Sequence, residues 1–103
     1  MHSLVTTTVD DVEVALRLAR GVVAARLGAC AQVVGPVTSV YRWEGEVRED
    51  QEWQVQVKTT AERVAALTEH LLAAHPYDVP EVVATPITGG SAAYLGWVTT
   101  ETA

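Results

Sequence analysis

Cysteine is almost absent from this chain of 103 residues, in which Cys30 is the one thiol. No disulfide can form within the chain, and a reduced thiol is typical of the cytoplasm, where we expect this protein. No basic segment leads into an apolar one, as it would in a secretory signal. The apolar runs also stop well short of the ~20 residues of a membrane-spanning helix. We therefore expect no membrane partner.

Positive charge is also scarce, with 7 Lys and Arg residues against 13 Asp and Glu residues and a formal net charge of -6. No basic cluster interrupts this excess, so nucleic acids and anionic membranes are poor partners. The 49% share of hydrophobic residues lies at the upper end of the ordinary range and favours an oligomer.

The common metal and nucleotide motifs are missing as well: there is no Gly-rich phosphate loop, no dinucleotide fingerprint, no Cys-x-x-Cys and no His-Glu-x-x-His. One thiol and three imidazoles without pairwise spacing do not form a metal site within one chain. Cys30 and His75 are candidate metal ligands only if a site is assembled across subunits. No side chain has the neighbours that an activated nucleophile needs, so we expect no catalytic residues.

The first part of the chain reads as a strand followed by a helix. Leu4 to Thr8 is a β-branched run that is typical of a strand. Asp10, with Glu13 three residues later, has the spacing of a capping box, and Gly28 has the position of a C′ residue. The apolar stripe that we expect to be buried recurs at steps of three and four residues: Val12, Leu16, Ala19, Val23 and Leu27.

Two long extended segments follow, Ala29 to Trp43 and Glu46 to Thr59, joined by a turn at Glu44-Gly45. Fifteen extended residues span roughly 50 Å, whereas a compact domain of this size is about 33 Å across. One end of the hairpin must therefore overhang the domain, even if Gly35-Pro36 forms a bulge. Exposed edges invite pairing, so a closed oligomer is favoured over a monomer with a broken strand.

The rest of the chain predicts a second helix, capped by Thr60 and ended by Pro76, then a strand over Glu81 to Ile87 and a last helix capped by Ser91. The inner stripe of the second helix is Val64, Leu67, Leu71 and Ala74. The order βαββαβ plus a C-terminal helix predicts an α+β ferredoxin-like sandwich with an extended central hairpin, in a single domain over residues 1–103.

The segment HPYDVPE, His75 to Glu81, is the least compatible with regular structure, because Pro76 and Pro80 lack amide donors and fix φ. It predicts a rigid loop, and rigid loops on a scaffold are where binding groups tend to lie. We expect Lys58, Tyr77 and Glu81 to converge near an aromatic wall, partly from the next subunit. The full set predicted for a ligand pocket is Tyr41, Trp43, Lys58, Tyr77, Glu81 and Trp97. Equally, the aromatic side chains among them suit a subunit interface.

Several segments together resemble the CutA family: SVYRWEGEVRED from Ser39, QVQVKTT from Gln54, HPYDVPE from His75, PIT-G from Pro86 and YLGW from Tyr94. LGACAQVVGPVTS from Leu27 resembles the family's second strand. The resemblance covers nearly the whole chain.

This resemblance implies a homotrimer of ferredoxin-like subunits with a shape like that of PII signalling proteins, linked to tolerance of divalent cations, copper especially. Cys30 and His75 match family positions, so copper or zinc is the implied ion, and no organic cofactor is expected. Thr7 stands where some members carry a cysteine, which weakens a redox role here.

The function that follows is a non-enzymatic trimer that responds to divalent metal by binding metal or a small ligand at the cleft between subunits. The alternatives are an enzyme acting on a small metabolite in that cleft, or an adaptor trimer that binds another protein.

Overall fold

A computed structural model describes all 103 residues. Four antiparallel strands form one sheet in the order β2-β3-β1-β4. The strands are β1 His2–Val9, β2 Cys30–Trp43, β3 Glu46–Thr60 and β4 Val82–Ile87. The helices are α1 Val12–Ala24, α2 Val64–Ala74 and α3 Ala92–Glu101, with a single 3-10 turn at Ala61–Arg63 before α2. The element order predicted from the sequence is therefore confirmed. No helix has both the length and the apolar character needed to cross a membrane.

The core lies between one face of the sheet and the helices α1 and α2. Alternate residues of the two central strands point into it, including Val5, Val9, Val55 and Val57, none of which is exposed. Leu67 and Leu71 of α2 close the core, as their spacing predicted. Each such side chain contributes about 1.5–3 kcal/mol relative to an exposed position.

The buried face of helix α1 is rotated from the predicted stripe, of which Ala19 is buried and Leu27 packs against the core. Its buried residues are Ala15, Leu18, Ala19 and Val22. Val12 and Val23 are 38% and 41% exposed, and Leu16 is half-buried. Because the apolar residues cover a wide arc of this helix, opposite Glu13, Arg17 and Arg20, periodicity alone cannot choose between two adjacent stripes within that arc. Shape complementarity with the sheet makes that choice.

Both ends of α1 also differ from the prediction. Asp11 is the N-cap instead of Asp10, and its Oδ1 accepts from the amide of Glu13 at 2.8 Å. At the other end Arg26 has a φ of 59°, and the amide of Leu27 bonds the carbonyl of Val22 at 3.0 Å, which is the pattern of a Schellman cap. Gly28 serves packing instead, since a Cβ there would lie 2.3 Å from Val57 Cγ1.

The β2–β3 hairpin extends beyond the domain as predicted. The molecule measures 44 × 25 × 22 Å, and every residue from 40 to 51 is exposed. The strand register breaks between Val34 and Val37, which confirms a bulge at Gly35-Pro36. Glu44 and Gly45 both have positive φ, 50° and 80°, as a type I′ turn requires.

The other two helices begin close to the predicted places. Ser91 caps α3, and its Oγ accepts from the amide of Tyr94 at 3.3 Å. Thr60 makes no side-chain capping bond, contrary to expectation, because a 3-10 turn separates it from α2. In α2 the predicted inner residue Ala74 is exposed, while Val64 is half-buried.

Candidate ligand cleft

The loop after α2 is fixed to the end of β1 by His75. The imidazole is 8% exposed, and its Nε2 lies 2.8 Å from the carbonyl oxygen of Thr8. Because a carbonyl can only accept, Nε2 carries the proton, and Nδ1 accepts from the amide of Tyr77 at 3.1 Å. Both ring nitrogens are thus used by the backbone, which makes His75 a brace for the loop.

Tyr77 links this loop to the hairpin. Its hydroxyl donates to Glu52 Oε2 at 2.9 Å, and Glu52 is 8% exposed. Burial, followed by the hydrogen bond to the Glu52 carboxylate, raises the pKa of Tyr77 well above its ordinary value of 10.0. The phenol therefore stays neutral and remains a donor to the carboxylate.

A cleft of about 790 Å³ lies between the overhanging hairpin and this loop, within the range of small-ligand sites. Five carboxylates line it, and Arg48 is the one positively charged residue among them. The lining residues are Asp10, Ser39, Val40, Tyr41, Trp43, Arg48, Asp50, Gln51, Glu52, Pro76, Tyr77, Asp78, Val79 and Glu81.

The hairpin contributes two aromatic side chains to this cleft. Tyr41 and Trp43 are 39% and 42% exposed. The Tyr41 hydroxyl donates to the Asp50 carboxylate, and this hydrogen bond is the main cause that raises the pKa of Tyr41. The aromatic walls therefore stand beside carboxylates, an arrangement that favours ligands with both an apolar and a polar part.

Four of the six predicted ligand residues line this cleft: Tyr41, Trp43, Tyr77 and Glu81. Glu81 Oε1 lies 3.5 Å from the hydroxyl of Thr8. The loop therefore contacts the end of β1 through Glu81, and the base of the hairpin through Tyr77 and Glu52.

Lys58 and Trp97 do not lie in the cleft, and the predicted convergence of Lys58 with Tyr77 and Glu81 is not met within one chain. Lys58 Nζ donates to Gln32 Oε1 at 3.1 Å and lies 5.6 Å from the ring centre of Tyr94. Trp97 packs against the same tyrosine, with ring centres 5.5 Å apart. The physical reason is strand length, since six positions along β3 separate Lys58 from Glu52 by roughly 20 Å.

The two predicted metal ligands are also apart within one chain. Cys30 pairs with Lys58 across β2 and β3, whereas His75 contacts Thr8, which pairs with Gln54. Four strand positions, about 13 Å, lie between these points. No group of three or more His, Cys, Asp or Glu side chains is placed to hold a metal ion.

Sequence reasoning missed Glu52, the buried carboxylate of the cleft. The alternation of β3 placed it with Gln54 and Gln56 on a polar face, which suggested exposure. Part of a signal was available, since the sequence marks a bulge at Gly35-Pro36, and the structure pairs Glu52 with Val37, the first residue after it. Bulges are common beside functional sites because they re-aim side chains.

The fold and the cleft define an α+β domain with an overhanging hairpin and a molecule-sized, aromatic-walled cleft at its base. Comparison with known proteins narrows this class. The family described as CutA1 divalent ion tolerance protein matches residues 3–101. The divalent-cation tolerance protein CutA of Thermus thermophilus is 48% identical over 98 residues, which are 95% of either chain. The chloroplastic CutA of Arabidopsis thaliana is 46% identical over 96% of this chain, which spans 54% of the plant protein.

The solved structure of the divalent cation tolerance protein Cut A1 from Thermus thermophilus superimposes with a TM-score of 0.96 at 47% identity, and 100% of both chains is covered. The chain therefore belongs to the CutA1 family of divalent ion tolerance proteins, as its motifs indicated. The match confirms the α+β class with a four-stranded antiparallel sheet and three helices.

Proposed function

We propose that this protein acts in divalent-cation tolerance as a non-enzymatic homotrimer that binds a small ligand in the cleft between its hairpin and its HPYDVPE loop. The observation that carries the proposal is the contact of Tyr77 with Glu52. It joins two elements distant in sequence at the floor of a cleft of ligand size. Such a buried polar contact costs desolvation, and proteins place these costs preferentially at functional sites.

Two features support the trimer, and a third supports the ferredoxin-like form of the subunit. The strands β2 and β4 are the two edges of the sheet, and unpaired edges attract other strands. Apolar side chains remain outside, among them Val40, Val47 and Val79, which are 62%, 63% and 71% exposed. The strand order β4-β1-β3-β2 is the one that a ferredoxin-like subunit has. A neighbouring copy would cover these surfaces and would also bring Lys58 and Trp97 toward a cleft that is not their own.

The proposal includes a copper or zinc site on Cys30 and His75 only if the two residues come from different subunits. The geometry favours Cys30 over His75 as a ligand, because both nitrogens of His75 already hold the loop. His75→Ala would therefore change the cleft as well as the metal site, and Cys30→Ser is the cleaner variant for calorimetry with copper or zinc.

The test of the function is complementation. Cells that lack their own CutA protein are grown with rising copper concentrations while carrying the wild type, Glu52→Gln or Glu49→Gln. Glu49 is an exposed carboxylate on the same strand that does not line the cleft. We expect Glu52→Gln to lose tolerance and Glu49→Gln to keep it. Equal growth of all three would remove the cleft from the function.

A further inference from the structure

Glu52 is a largely buried carboxylate with one oxygen hydrogen-bonded within the chain and the other open to the cleft. It is the one carboxylate of the cleft that is nine-tenths buried, whereas Asp10, Asp50, Asp78 and Glu81 are exposed. Its single hydrogen bond comes from the neutral hydroxyl of Tyr77 to Oε2. Oε1 has no hydrogen-bond partner in the chain, and it is open to the cleft, since the one buried side-chain nitrogen or oxygen without a partner is Thr7 Oγ1. An ionised carboxylate offers about four acceptor sites, so most of this capacity is unused.

A carboxylate oxygen that faces a cleft can accept from a cationic group there, and no cationic side chain of the same chain bonds Glu52. The positively charged residue of the cleft is Arg48, which pairs with Tyr41 farther out along the hairpin. With five carboxylates and one arginine, the lining carries an excess of negative charge. The potential at Oε1 is therefore negative and favours a positively charged group that comes from outside the chain.

The walls of the cleft indicate what kind of cation fits. A bare divalent ion needs several ligands at one point, and no such cluster exists. By contrast, the aromatic rings of Tyr41, Trp43 and Tyr77 line the same cleft. Aromatic faces attract organic cations and also pack against apolar stems. A volume of about 790 Å³ holds a molecule and far exceeds the need of one ion.

We propose that the cleft binds a small organic cation, an alkylammonium or guanidinium group on an apolar stem, with the charged head on Glu52 and the stem along the aromatic wall. This inference rests on the proposed function, which makes the cleft a ligand site, and adds the chemical class of the ligand.

The experiment uses three probes of matched shape: 2-phenylethylamine, 2-phenylethanol and 3-phenylpropanoate. Calorimetry on the purified, assembled protein measures each affinity. The amine should bind at least about tenfold tighter than the alcohol, which corresponds to one charge-assisted contact. Glu52→Gln should remove that advantage, while Tyr77 can still donate to the amide oxygen and keep the fold. Asp78→Asn, the same charge change on an exposed wall of the cleft, should lower the affinity by less than about threefold.

Four results would overturn the inference, and they are separable from failure of the proposed function. Equal binding of amine and alcohol, or equal effects of Glu52→Gln and Asp78→Asn, would leave Glu52 without its role. Preference for the propanoate would mean that Arg48 selects anions; the cleft would then remain a ligand site of another class. Tighter amine binding by Lys58→Ala would mean that a lysine of another copy normally occupies Glu52.

Loss of copper tolerance in Glu52→Gln bears only on the function, because it is scored by growth without any probe. Unfolding curves of each variant show whether it is folded before its binding is compared.

Discussion

Buried polar side chains in this protein differ in whether they have a hydrogen-bond partner. Thr59 and Thr7 are both fully buried on adjacent strands. The Thr59 hydroxyl donates to the carbonyl of Leu27 at 2.7 Å, whereas the Thr7 hydroxyl has no partner. A buried hydroxyl without a partner has lost its hydration and gained nothing in exchange.

Replacing Thr7 by valine should therefore stabilise the protein by about 1 kcal/mol, since valine has nearly the same shape and no hydroxyl. The matched control, Thr59→Val, should destabilise it by about 1 kcal/mol because the carbonyl of Leu27 loses its donor. Denaturant unfolding at one protein concentration measures both. A loss of stability in Thr7→Val comparable to that in the control would contradict the prediction.

Tyr77 gives the protein a dependence on alkaline pH. Its pKa is raised in the folded state, mainly by burial and then by Glu52. Between the ordinary pKa and the folded one, the unfolded chain releases the phenolic proton while the folded chain keeps it. This contribution is complete below about pH 10 and declines as the pH rises further.

We expect the free energy of unfolding to fall more steeply above about pH 10 in the wild type than in Tyr77→Phe. At neutral pH the variant should be the less stable by about 1–3 kcal/mol, because the buried Glu52 carboxylate loses its donor. Urea unfolding across the alkaline range tests both statements. Parallel slopes for the two proteins would show that Tyr77 ionises as an exposed phenol does.

At the scale of elements, the sequence predicts what is local and leaves open what depends on docking. Strand alternation in β3, the turn at Glu44-Gly45 and the cap at Ser91 follow from steric and hydrogen-bonding rules that act within a few residues. The buried face of α1 does not, because its apolar residues cover an arc wider than the contact with the sheet, and the sheet selects among them. The Schellman cap at Arg26 escaped prediction for a similar reason. A positive φ on arginine costs energy, and contacts such as its hydrogen bond to the carbonyl of Thr100, 3.1 Å, offset that cost.

The same distinction between local features and features that depend on docking applies to the cleft. The HPYDVPE loop was identified from its prolines, and the aromatic residues of the hairpin from their alternation. Neither feature predicts which side chain of β3 lies beneath the loop and the aromatic residues. The position of Glu52 follows from the bulge and from the reach of Tyr77, both of which are three-dimensional facts.

The hairpin turn offers a test at this scale. Glu44 adopts a φ of 50°, which is unfavourable for glutamate, whereas asparagine tolerates it. Glu44→Asn should stabilise the hairpin by up to about 1 kcal/mol, part of the left-handed penalty. Amide hydrogen exchange along residues 40 to 51 is the sensitive measurement, because an overhanging hairpin opens without global unfolding. The same change at Glu49, inside the strand, should give no protection; protection of equal size there would contradict the turn argument.

The whole molecule has a small core for its size. Its accessible surface is 6093 Å², compared with about 5,600 Å² for a typical monomer of its mass. The excess comes from the hairpin, and several large apolar side chains lie outside the core. A single chain would expose these surfaces and two sheet edges, and we expect association with further copies to cover them.

We therefore expect light scattering to give about three times the chain mass of 11.0 kDa. Because association stabilises the folded state by mass action, the melting temperature should rise with protein concentration. Val47→Ala, at the tip of the overhanging hairpin and outside the cleft, should raise the concentration at which the trimer dissociates by about tenfold, because its apolar side chain would no longer be buried against a neighbouring copy. Leu72→Ala removes a half-exposed apolar side chain from α2, away from the hairpin, and should leave that concentration unchanged. A mass of one chain, with a melting temperature independent of dilution, would disprove the trimer. Equal weakening by both variants would move the interface away from the hairpin.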